Sequence, residues 1–178
     1  MKKMLVLLVL FIVAHNLTFA QNFFEVSRDK NGNKILKGIL KKEDISKDTA
    51  FQWFQENQKG YKPYQEAVNI LRKNTNNIQF IAFAGTWCGD SKFIIPKFFA
   101  LLDSSFFPLD RVTLIGVDRD KKTISHLAEA LNVINVPTII VMKDGKEIGR
   151  VVEYGKYGMF DKELGEIIKG IPGTASVK

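Results

Sequence analysis

Cys88 is the only cysteine in this chain of 178 residues, so any sulfur chemistry must run through one thiol. It lies in the segment Trp87-Cys88-Gly89-Asp90-Ser91, after an apolar run and where a helical pattern begins. The free N–H groups and the positive end of the dipole at a helix start stabilise an anion. Cysteines placed there carry more thiolate at neutral pH, and the thiolate is the species that attacks a disulfide. Gly89 lets a partner come close to the sulfur, and Trp87 offers an apolar rim beside it. Ser91 follows one helical turn later, where its hydroxyl can either donate to the sulfur or satisfy a backbone N–H at the helix start. Asp90 favours the helix start but opposes the thiolate by like charge, with Lys92 as a partial offset. The alternative for Cys88 is a buried, inert residue. The helix-start position and the flanking glycine argue for a reachable thiol.

Other residue types are too sparse for a second chemistry. There are two histidines, and only His126 lies beyond the first twenty residues, so a zinc site of Cys and His lacks ligands. His126 reads as solvated surface rather than as a base for Cys88. Arg119, Arg150 and Glu153 follow strand ends and read as a surface ion network. Phe98, Phe99, Phe106 and Phe107 read first as core, and any that stay exposed could serve a partner surface.

The elements that would position Cys88 follow from apolar patterning. Residues 35–40 alternate loosely as a short strand, and residues 49–57 and 63–73 read as helices parted by Gly60. Residues 78–84 form a short apolar run typical of a strand covered on both faces. A helix from Cys88 to about Asp103, a second buried strand at 112–117 and a helix at 123–131 come next. Strands at 137–142 and 147–152 flank the hairpin signal Asp144-Gly145, and a helix at 161–169 closes the pattern. This order implies one mixed sheet with helices on both faces and a right-handed first crossover. Residues 21–33 are polar, punctuated by Asn31-Gly32, and read as a mobile lead-in.

The first twenty residues read as a cleavable secretory signal. Lys2 and Lys3 precede an eleven-residue apolar core, with Thr18 and Ala20 as small residues before Gln21. The rival reading is an uncleaved anchor, but that core is short against the roughly 20 residues a span needs. Removing the signal leaves 158 residues, enough for one domain, and lowers the formal charge from +7 to +5. The basic residues are dispersed, so solvated surface is preferred over nucleic-acid binding.

The segment Phe83-Ala84-Gly85-Thr86-Trp87-Cys88-Gly89-Asp90-Ser91 resembles the active-site turn of thioredoxin-like proteins, whose usual form is Trp-Cys-Gly-Pro-Cys. Asn135-Val136-Pro137-Thr138, with the strand and hairpin after it, resembles the cis-proline segment of the same family. The resemblance covers about residues 77–169 and is also similar to a bacterial, exported subgroup with a single-cysteine turn. It implies a thioredoxin-like α/β fold, with a partly helical N-terminal extension at 21–76, the domain proper at 77–170 and a flexible tail at 171–178. It also implies a cis Val136–Pro137 bond packed against Cys88 and backbone groups lent there to a bound peptide. Three departures stand out: Ser91 replaces the resolving cysteine, Asp90 the turn proline, and Ala82 the buried aspartate that aids proton transfer in thioredoxins.

The expected function is thiol-disulfide exchange by an exported, periplasmic or secreted protein through a monothiol. Cys88 and Ser91 would be the catalytic pair, and Trp87, Gly89, Asp90, Val136 and Pro137 would frame a protein or small thiol/disulfide substrate. No metal, nucleotide or flavin cofactor is implied, nor a nucleic-acid partner or stable membrane insertion after signal removal. The alternative is a non-catalytic peptide-binding module, which the Ser91 and Ala82 departures favour. An iron–sulfur carrier, by analogy with single-cysteine glutaredoxins, fits poorly with Trp87 and the signal.

Overall fold

The computed structural model describes residues 23–170. The signal assigned to residues 1–20 and the tail assigned to 171–178 lie outside them.

Six strands form one mixed sheet: β1 (Phe24–Arg28), β2 (Lys34–Leu40), β3 (Gln79–Ala84), β4 (Val112–Gly116), β5 (Thr138–Lys143) and β6 (Lys146–Val152), in the order β1-β2-β4-β3-β5-β6. Only β3 and β4 run parallel; every other neighbouring pair is antiparallel. The helices are α1 (Lys42–Ser46), α2 (Trp53–Gln58), α3 (Gln65–Asn74), α4 (Gly89–Ser105), α5 (Leu127–Ala130) and α6 (Phe160–Lys169). The alternation of side chains along a strand divides the core between the two faces of the sheet. Phe80, Ala82, Ala84, Leu114, Ile139 and Val141 pack with residues of α2, α3, α4 and α6. Phe83, Ile115 and Ile140 pack on the other face with Ala128 of α5, Val133 and Val136. Among the described residues no helix is long and apolar enough to cross a membrane.

Residues 24–28 correct the reading of 21–33 as a mobile lead-in: they are β1, paired along its length with β2. The strand is mostly exposed, so its backbone hydrogen bonds rather than a buried face define it. The short α1 is also an addition, with only Ile45 buried. The continuous helix expected over 123–131 is broken. Ser125 and His126 take left-handed angles, a single 3-10 turn (Ile124–His126) precedes α5, and the Thr123 hydroxyl donates to the Gly116 carbonyl instead of continuing a helical face.

The hairpin depends on a close backbone approach at Gly38, whose φ is +131°. A Cβ there would lie 2.4 Å from the Phe23 carbonyl oxygen and 2.7 Å from the Phe24 Cα, so β1 must move to admit a side chain. Gly38→Ala is expected to lower unfolding free energy by about 1–3 kcal/mol, read from urea denaturation; unchanged stability would show that β1 adds little to the fold.

Candidate functional site

The end of β3 and the beginning of β5 meet at one edge of the fold, because Phe83 pairs with Thr138 in antiparallel register. The chain leaving β3 therefore reaches Cys88 next to the chain entering β5 through Val136 and Pro137. Cys88 is the N-cap residue of α4, with extended backbone angles, and its N–H donates to the Gly85 carbonyl at 2.9 Å. Its thiol donates to the Val136 carbonyl oxygen at 3.2 Å, across 48 positions of sequence. The Val136–Pro137 peptide bond is cis. Cys88 is half-buried, whereas Val136 and Pro137 are buried behind it. Gly89 is exposed, with open space where a side chain would stand.

The turn is braced from several directions. The Trp87 indole N–H donates to the Val117 carbonyl at 3.0 Å, which fixes the ring against the end of β4. Gly85 is required beneath that ring: a Cβ would lie 2.7 Å from its Cε2. The buried Thr86 hydroxyl donates to the Lys34 carbonyl at 3.0 Å and accepts from the Leu36 N–H at 3.3 Å, tying the turn to β2. On the outer side the Arg119 guanidinium lies 5.2 Å from the Trp87 ring centroid and donates to the Asp29 carboxylate in the hairpin between β1 and β2.

Ser91 is placed differently from one of its two expected roles. It is buried, and its Oγ accepts from the Gly85 N–H at 3.1 Å. Among the described contacts no hydrogen bond joins it to the Cys88 sulfur; the hydroxyl secures the turn from within instead. Asp90 accepts from the Tyr154 hydroxyl at 2.9 Å, a partner 64 positions away. Tyr154 carries no local motif, and the only signal for it was its place just beyond a strand end. Its neighbour Glu153 donates its N–H to the Pro137 carbonyl at 2.7 Å, so the segment after β6 grips both sides of the site.

Ala82 lies fully buried between Leu114 and Ile139, with no carboxylate in its position. The His126 side chain is 90% exposed and its nearest charged partner is Glu129, so it stays outside the site. Arg150 pairs with Glu147 and donates to the Leu131 and Asn132 carbonyls, a structural use at the end of α5. Of the phenylalanine group, Phe98, Phe99 and Phe107 are buried, whereas Phe106 is 79% exposed in a left-handed C-cap beneath Arg72.

With this geometry in view, the comparisons with known proteins are specific. The Thioredoxin family model matches residues 59–164. The chain belongs to the thioredoxin family. It is 34% identical over 95 residues to a thioredoxin of Chlamydia trachomatis, covering 53% of this chain and 82% of that one. It is 30% identical over 97 residues to the TPR repeat-containing thioredoxin TDX of Arabidopsis thaliana, covering 54% of this chain but only 24% of that longer protein. Among solved structures, the thioredoxin NaTrxh from Nicotiana alata aligns at 30% identity with a TM-score of 0.41, over 59% of this chain and 82% of that one.

The brace through Asp29 has a pH signature. Its side chain is only 3% exposed, and the Arg119 guanidinium, with help from Asn33, holds its carboxyl well below the usual carboxylate range. A carboxyl whose folded value is depressed adds stability above its unfolded value of about 3.9, and that stability is lost as the pH falls. Asp29→Asn is therefore expected to be less stable than the parent at pH 7, with the gap closing as the pH drops below about 4. Urea denaturation at a series of pH values reads this, and a gap independent of pH would reject the ion pair as its source.

Proposed function

We propose that this chain is an exported member of the thioredoxin family that exchanges disulfides through Cys88 alone. The observation carrying the reading is the Cys88 thiol at the N-cap of α4, 3.2 Å from the carbonyl that precedes Pro137. In the first step the Cys88 thiolate attacks one sulfur of a partner disulfide. A new S–S bond forms, the old one breaks, and the departing sulfur leaves with the bonding electron pair and takes up a proton. Once Cys88 is bonded to a partner it no longer donates to Val136. That carbonyl is then open to an N–H of the partner chain, a strand-like contact beside Pro137. Trp87, Gly89 and Asp90 frame the same approach.

The second step needs an external thiol. A low-molecular-weight thiol attacks the mixed disulfide, becomes disulfide-bonded to the released partner and returns Cys88 as thiolate. Ser91 does not take this part, because a hydroxyl is a far poorer nucleophile and its oxygen already serves the Gly85 N–H. Its support to catalysis is to hold the turn. Cleavage of the signal before Gln21 would deliver the protein to a periplasmic or extracellular space, where disulfide partners persist.

One observation favours a second reading as a peptide-binding module without turnover: Ala82 leaves no buried carboxylate under the site to move protons. Insulin reduction in the presence of excess low-molecular-weight thiol separates the two. The exchange reading expects turnover above the thiol-only background, lost in Cys88→Ser. Background rates for the wild-type protein, with peptide capture retained in the mutant, would establish the binding module instead.

A further inference from the structure

Asp90 presents a problem to any reaction at Cys88. It is two residues from the sulfur, in the first turn of α4, and a free carboxylate there repels both a forming thiolate and any anionic partner. The structure gives this carboxylate a partner from the far end of the domain. The Tyr154 hydroxyl donates to Asp90 Oδ1 at 2.9 Å. The Tyr154 ring is held in turn by Phe93, with centroids 5.6 Å apart, one turn along α4 from Gly89. Its backbone is anchored by the Glu153 N–H on the Pro137 carbonyl, and Glu153 takes a left-handed φ of 55° to make that turn. Tyr154 thus reaches Asp90 from the segment that also supports the proline turn. Its hydroxyl is pushed above its ordinary ionisation range, chiefly by the hydrogen bond to Asp90 and then by burial, and it also feels the charges of Cys88 and Glu153.

We propose that Tyr154 is a positioning residue that restrains and partly neutralises the Asp90 carboxylate, keeping the Cys88 sulfur open to anionic partners. This rests on the exchange reading of the site, but it concerns the approach to the sulfur and not the exchange itself. Without the hydroxyl, Asp90 is free to turn toward the sulfur, and acidic disulfide partners are disfavoured relative to neutral ones.

The test compares Cys88 alkylation by anionic iodoacetate with that by neutral iodoacetamide, at one pH and low ionic strength. In each reaction sulfur displaces iodide and the thiol proton goes to solvent, so no disulfide exchange is needed. Tyr154→Phe keeps the ring on Phe93 and removes the hydroxyl. The iodoacetate-to-iodoacetamide rate ratio is expected to fall by up to about threefold, the ceiling being the effect of bringing one full charge to within a few ångströms of the sulfur in water. In an Asp90→Asn background the same substitution is expected to leave the ratio unchanged. No fall in the single variant overturns the proposal, as does an equal fall in both backgrounds, which would reflect lost packing. A protein that shows the expected ratios yet reduces no insulin would keep the role of Tyr154 and reject the exchange reading alone.

Discussion

The site depends on the register of β3 against β5. Pairing Phe83 with Thr138 brings the exit of one strand and the entrance of the other to the same edge, so Cys88 and the Val136 carbonyl meet across 48 residues. In a sheet a slip of one residue turns every side chain to the opposite face. Here such a slip of β3 would send Phe83 toward α4 and Ala82 toward α5, while Ile139 and Ile140 of β5 stayed on their own faces. The same apolar alternation that excludes that slip therefore also sets the distance between sulfur and carbonyl. The parallel pairing of β3 with β4 completes the frame: Val117 donates its N–H to the Ala84 carbonyl and accepts the Trp87 indole N–H.

Bracing around this frame extends beyond the family match, which begins at residue 59. The β1–β2 hairpin precedes that match, yet it reaches the turn twice, through Thr86 on the backbone of β2 and through the run Asp29–Arg119–Trp87. Local rigidity at Cys88 is consequently shared with a part of the chain that contributes no chemistry of its own.

The central strands, α3 and α6 are readable in the sequence because burial on both faces leaves an unbroken apolar run, as in β3, and an exposed helical face leaves a clear period. It hid β1 for the opposite reason: Glu25, Val26, Ser27 and Arg28 are all exposed, and nothing in a backbone ladder is written in side-chain polarity. The apolar spacing of Ile124, Leu127, Ala128 and Leu131 suggested one helix, but the Thr123 hydroxyl and two left-handed residues turn the chain, and only Ala128 is buried among them. At the site, the meeting of Cys88 with Val136 and Pro137 was legible because both motifs are local and their spacing suits the fold. The Tyr154–Asp90 bond was not, since it joins two ordinary surface residues that only the closure of the sheet makes neighbours. Spacing puts Ser91 one turn after Cys88, but the direction of its hydroxyl depends on the path of Gly85, which spacing does not encode.

That hydroxyl also limits what can stand in its place. At a site 1% exposed, the Ser91 oxygen is the acceptor for the Gly85 N–H. Installing cysteine there to recreate a two-thiol centre replaces a good acceptor with the weak one that sulfur provides and adds a larger atom to a closed interior. A second thiol at this position is thus a single substitution away in sequence, yet it works against the hydrogen bond and the close packing that hold the turn around the one sulfur present.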